Sequence, residues 1–147
     1  MIEKIIKGIN YRLKEETLTA EVIKQENGYE GDIIIPETVV FQEVAYRVTS
    51  IGEGAFCQCE YLTSIVIPDS VTNIGQEAFE DCFSLEAIVI PNSVTSIGDC
   101  AFRDCCFLKS IRFNGTKAQW EKIQLVSGWN ESLRTTVVHC TDGDVEI

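Results

Sequence analysis

Three features of the 147-residue chain carry side chains that could do chemistry. His139 stands beside Cys140, and a cysteine nucleophile needs a base within reach. Thr135 to His139 reads as a strand, however, and consecutive strand side chains leave on opposite faces, so this pair diverges. Asp142-Gly143-Asp144 offers carboxylates to a calcium ion, but an EF-hand loop needs several further acceptors and a closing glutamate, so the triplet reads as a turn. The third feature is a set of seven cysteines. Neither Cys57 with Cys59 nor Cys105 with Cys106 has the Cys-x-x-Cys spacing of zinc sites, and an odd count does not close a disulfide framework. Gly52, Gly75 and Gly98 lack the spacing of phosphate-binding loops. No catalytic, cofactor or metal site is therefore expected, and the chain reads as a non-enzyme.

The cysteines make sense as part of a repeat. IPDSVTNIGQEAFEDC, Ile67 to Cys82, returns as IPNSVTSIGDCAFRDC, Ile90 to Cys105, and VTSIGEGAFCQC, Val48 to Cys59, is a looser copy upstream, all at a period of 23 residues. Cys59, Cys82 and Cys105 occupy one slot of this period, which suits a ladder of buried reduced thiols serving as small apolar filler. In one copy the apolar positions are Val71, Ile74, Ala78, Phe79, Cys82, Leu85, Ile88 and Ile90. Ile88-Val89-Ile90 is β-branched and stops at Pro91, which donates nothing to a ladder, so it is a short strand. Gly75 marks a corner where glycine's freedom of backbone angle is useful, and Ala78, Phe79 and Cys82 then stand at helical spacing, enough for one turn. Each copy is expected to be strand, turn, corner and one helical turn. A unit this short cannot bury its own apolar face, so copies must stack, with Phe56, Phe79 and Phe102 as the largest shared ladder.

Segments on either side of the repeats would close the stack. Residues 1–32 alternate β-prone runs with turn signals, Lys14-Glu15-Glu16 and then the hairpin dipeptide Asn27-Gly28, giving a β-rich N-terminal cap. Ile33-Ile34-Ile35 ends at Pro36 as Ile67 ends at Pro68, so residues 33–113 form the repeat region; VFQEVAYR, between Val39 and Val48, is the extended excursion that lengthens its first copy. Thr116 and Gln119 form a capping-box pattern for a helix to about Leu125 whose Trp120 and Ile123 cover the last coil. Thr135–His139 and Val145-Glu146-Ile147 complete a helix-plus-strand C-terminal cap over residues 114–147 of one domain.

Composition narrows the partners. With 12 Lys plus Arg against 23 Asp plus Glu, the net charge of −11 repels nucleic acid. No apolar run is long enough to span a membrane, so membrane insertion is not expected, and MIEKIIKGIN lacks the apolar core of an export signal. By sequence alone the chain reads as untargeted and cytoplasmic.

The pattern VTNIGQEAFEDCFSLEAIVIPNSV, Val71 to Val94, resembles the BspA-like class of bacterial leucine-rich repeats. The resemblance covers Ile33 to Phe113, and Tyr46-Arg47-Val48 and NGTKAQWEKI, Asn114 to Ile123, resemble that family's flanking segments. It implies a right-handed leucine-rich repeat solenoid with short parallel strands. It also implies, as a family tendency, a cell-surface or secreted protein that recognises a protein ligand. Strand alternation turns Ser64 and Val66, Ala87 and Val89, Ser110 and Arg112 outward as stripes on the sheet face, where repeat proteins bind. Tyr61, Phe83 and Phe107, in the two positions after the ladder cysteine, are a second set of candidate contacts or else fold back to fill a local gap. The expected function is a non-catalytic protein-interaction module with adhesin-like binding of a protein ligand; the alternative reading is an intracellular structural or regulatory scaffold. No cofactor is implied.

Overall fold

Strands two to eight residues long, joined by turns and loops, are the main regular element of the chain, and the computed structural model describes all 147 residues. Strands β1 (Ile2–Ile6), β2 (Ile9–Lys14) and β3 (Thr19–Val22) form an antiparallel meander. Next come β4 (Gly31–Ile34), β5 (Thr38–Phe41), β6 (Val44–Ile51), β7 (Leu62–Val66), β8 (Asn73–Ile74), β9 (Ala87–Ile90), β10 (Ser96–Ile97) and β11 (Ser110–Phe113). The short helix α1 (Lys117–Glu121) precedes β12 (Gln124–Leu125), β13 (Val137–Cys140) and β14 (Gly143–Glu146).

Two sets of parallel strands line opposite sides of the core. One side carries the ladders β4-β7 and β9-β11-β13, with β14 added antiparallel; the other carries β3-β6-β8-β10-β12, extended by β2 and β1. Residues 23 apart face each other, as in Ala87 with Ser110, Asn73 with Ser96 and Ser50 with Asn73. Between the sheets, Val71, Ile74, Ala78, Phe79, Cys82, Leu85, Ile88 and Ile90 are all buried, as are their counterparts from Val48 to Ile67 and from Val94 to Phe113. Phe56, Phe79 and Phe102 stack at 5.2 Å with rings within 5° of parallel. Tyr29 closes one end at 4.6 Å and Trp129 the other, edge-on at 6.2 Å. The side chain of Thr116 accepts from Gln119 N in a capping box at the start of α1, whose Trp120 packs on Phe113 and Trp129.

Several local expectations are corrected. The segment after each corner is not a helical turn but a run of tight turns, because Glu77 and Asp81, like Gly54, Gln58, Cys100 and Asp104, sit at positive φ and break any helical run. Alternate amides then serve different partners. Ala78, Glu80 and Cys82 donate within their own coil, whereas Glu77, Phe79 and Asp81 donate to Asp99, Ala101 and Arg103 of the next. A helix would have spent those bonds internally; here they bind coil to coil. The corner glycines have no positive φ, and closeness explains them instead: a Cβ on Gly75 would lie 2.8 Å from Glu53 N. The extended excursion VFQEVAYR takes the form of the β5-β6 hairpin, turned at Gln42 and Glu43, both at positive φ. Asn27-Gly28 joins β3 to β4 in different sheets and is not a hairpin; the N-terminal hairpin turns at Lys7-Gly8. Finally, α1 ends at Glu121, and Gln124–Leu125 is released to extend the corner ladder beside β10.

Candidate interaction surface

Register places the outward side chains of the strand face in columns. Ile34 pairs with Val66, and Val89 with Arg112 and then His139, giving a column that runs from aliphatic to basic. Exposures of 71% for Ile34, 54% for Val66 and 43% for Val89 are unusual for three β-branched residues in line, since each could be polar at little cost to the strand. The second column holds Asp32 with Ser64, and Ala87 with Ser110. The sheet is divided here: β4-β7 and β9-β11 are separate ladders, so Ser64 and Val66 belong to one and Ala87, Val89, Ser110 and Arg112 to the other. Asp32 ties its ladder together by accepting from Ser64 Oγ at 2.7 Å and Thr63 Oγ1 at 2.9 Å, and these bonds hold its pKa below the ordinary carboxylate value.

Tyr61, Phe83 and Phe107 lie in the loops that lead into β7, β9 and β11, and all three are exposed instead of folded back into the core. Tyr61 and Phe107 occupy equivalent positions, with Ser84 between them, whose hydroxyl donates to Glu60 O at 2.5 Å. The aromatic set therefore borders the columns without merging into them. Sequence reasoning missed Ile34 and His139 as members of the first column. Ile34 was findable, since it stands two residues before Pro36 as Val66 and Val89 stand before Pro68 and Pro91. His139 needed the pairing of β13 with β11. His139 Nδ1 lies 2.8 Å from Asp144 Oδ1 on this face, while Cys140 is buried on the other, so the two diverge.

All seven cysteines are free. Cys82 and Cys105 donate through Sγ to Phe56 O and Phe79 O at 3.2 and 2.9 Å, and Cys59 Sγ accepts from Tyr29 N. The neighbouring Cys105 thiol and burial push the Cys82 pKa up, and burial does the same to Cys59. Thiolate is the reactive form, so Cys59 and Cys82 are protected both by their burial from reagents and by their raised pKa. In a native thiol titration with an aromatic disulfide, Cys57 and Cys106, the two partly exposed ones, are expected to react first. The remaining five should react only on unfolding; early modification of Cys82 would contradict the ladder. No three His, Cys, Asp or Glu side chains are grouped to hold a metal ion, and no helix is long and apolar enough to cross a membrane.

Stacked coils whose main chains bond one to the next, around ladders of Val, Ile, Leu, Phe and Cys, define a leucine-rich repeat solenoid. Residues 37–136 match the BspA type leucine rich repeat region in six copies, and the chain belongs to that family. It is similar to the crystal structure of a leucine rich cell surface protein from Faecalibacterium prausnitzii, with a TM-score of 0.68 and 28% identity over 97% of this chain and 43% of that one. A leucine-rich repeat protein from Bacteroides capillosus superposes with a TM-score of 0.75 and 26% identity, covering 94% of this chain and 97% of that one. A third, from Bacteroides ovatus, gives 0.50 and 27% over 92% of this chain and 43% of its own. This chain thus spans less than half the length of the first and third. No curated protein sequence matches it.

Proposed function

We propose that the chain is a non-enzymatic recognition module that binds a protein ligand across its strand face. The observation that carries this reading is the outward column Ile34, Val66, Val89 and Arg112, flanked by Ser64, Ala87 and Ser110. Aliphatic side chains standing in line on a rigid, hydrogen-bonded surface lose little entropy when covered, and each adds apolar area. Arg112 gives the column a polar end that favours an acceptor on the ligand. Tyr61, Phe83 and Phe107 supply exposed aromatic contacts at the border, of the kind enriched in interfaces. An adhesin-like role at a cell surface is the natural setting, supported by the similarity to a protein described as a cell surface protein. The test is affinity capture from host and bacterial extracts with the wild-type chain and with Val66→Asp/Val89→Asp. Because both positions are exposed, the double variant should melt within a few degrees of wild type while losing the captured protein. Retained capture would refute the strand-face reading, and capture lost only with Tyr61, Phe83 and Phe107 changed to Ser would move the site to the loops.

The seven free cysteines favour a second reading, an intracellular scaffold piece, because reducing compartments keep thiols unpaired. Thiol counting on protein taken from its native compartment separates the two: disulfides there would exclude the scaffold.

A further inference from the structure

A cleft of about 330 Å³ lies between the β1-β2 turn and the segment from β4 to β5. Ile6, Ile9 and Tyr11 line one wall and Pro36, Val39 and Val40 the other, with Ile34 beside them. This volume is at the small end of ligand pockets, roughly 300–1,000 Å³, and suits a side chain or two better than a cofactor. Lys7 is the one charged residue of the lining. It is exposed and makes no ion pair, although acids outnumber bases about two to one in the chain.

Beside the cleft runs an open sheet edge. Strand β4 pairs only with β7. Gly31 N and Ile35 N donate to Tyr61 O and Val66 O, so by strand alternation the main-chain groups of Asp32 and Ile34 point the other way. Natural sheets blunt such edges with lysine, proline or a covering element. Here Pro36 and a register shift at Gly31/Asp32 bound the edge, and Asp32 to Ile34 is left regular and unpaired between them.

We infer that the open β4 edge and the cleft together take an extended peptide segment, its main chain bonded to Asp32 and Ile34, one apolar side chain in the cleft and a neighbouring carboxylate on Lys7. Strand addition of this kind draws affinity from main-chain bonds and specificity from alternate side chains. The net charge of −11 limits the acidity of the occupant. A single carboxylate sits within a Debye length of Lys7, about 8–10 Å, whereas a long polyanion is repelled by the whole molecule.

The probe is a blocked synthetic hexapeptide, acetyl-Thr-Val-Glu-Val-Thr-Val-amide, titrated into the isotopically labelled chain while amide resonances are followed. Saturable shifts are expected at Ile6, Ile9, Ile34 and Val40. Exchanging the glutamate for glutamine, or Lys7→Glu in the protein, should weaken binding roughly fivefold, as for an exposed ion pair. Methylating alternate peptide amides, which removes the main-chain donors, should weaken it roughly tenfold or more. Lys7 is exposed, so an unchanged melting temperature will certify that variant as folded. Absence of saturable shifts, equal affinity for the glutamine and methylated peptides, or shifts confined to Val66, Val89 and Arg112 would each overturn the inference; the last would instead speak for the strand-face column.

Discussion

Phe79→Ala is expected to cost about 3–5 kcal/mol, the range for removing a fully buried aromatic side chain, and to lower the melting temperature by roughly 10 °C or more. Phe79 has no exposed surface, and its ring lies between Phe56 and Phe102 at 5.2 Å on both sides. Truncation therefore removes two aromatic contacts and leaves a void in the middle of the ladder. Neighbouring main chains cannot collapse into that void, because Phe79 N donates to Ala101 O and Phe56 N to Ala78 O, which fixes the spacing between coils. A solenoid's stability is close to a sum of coil and interface contributions, and this substitution damages two interfaces at once. Against a total of about 5–15 kcal/mol for a native domain, the loss is a large share. Phe79→Leu, which keeps most of the volume and loses only ring stacking, should cost visibly less. Guanidinium melts of the two variants provide the check, and an unchanged midpoint for Phe79→Ala would contradict the stacked core.

The residues that build this core were legible because repetition exposes them. Each apolar position returns 23 residues later, so Val71 to Ile90 and their counterparts could be placed inside the molecule from sequence alone, and all are buried. The prolines at 36, 68 and 91 likewise announced the ends of β4, β7 and β9. What escaped was held by bonds between coils. Asn73–Ile74 and Ser96–Ile97 are strands of two residues, too short for any alternation, and exist because each pairs with the coil on either side. Glu77 has a side chain that gives no hint of positive φ, whereas Gly54, one repeat earlier, and the aspartates Asp81 and Asp104, a residue type enriched in that region, carried a signal that sequence reasoning missed. For the candidate surface, alternation gave the correct outward residues, but which of them share a column, and that Ile34 and His139 join it, depended on strand pairing across ladders.

Gly98→Ala tests the corner from the opposite direction, by adding a single methyl group. An added Cβ there would lie 2.5 Å from Gln76 N and 2.7 Å from Gly75 C, both main-chain atoms that cannot rotate aside. The corner must then part from its neighbour, although Gly98 N donates to Ile74 O at 2.8 Å and Gly75 N to Ile51 O at the same distance. Overpacking of this kind costs about 1–3 kcal/mol. Gly54→Ala supplies the contrast. Its φ is +61°, so alanine is conformationally strained, yet the nearest atom to a new Cβ is Cys57 Cβ at 3.8 Å, and Glu77 and Cys100 already occupy the equivalent positions. That variant should lose only about 1–2 kcal/mol, the price of a left-handed conformation. If close approach governs the corners, Gly98→Ala weakens the coil-to-coil bonds as well as stability, and amide hydrogen exchange at Gly98 and Thr95, which donates to Thr72 O, should accelerate while exchange near Phe56 stays slow. Exchange at Gly98 and Thr95 that stays as slow in Gly98→Ala as in the wild type would refute close approach as the reason for glycine at the corner.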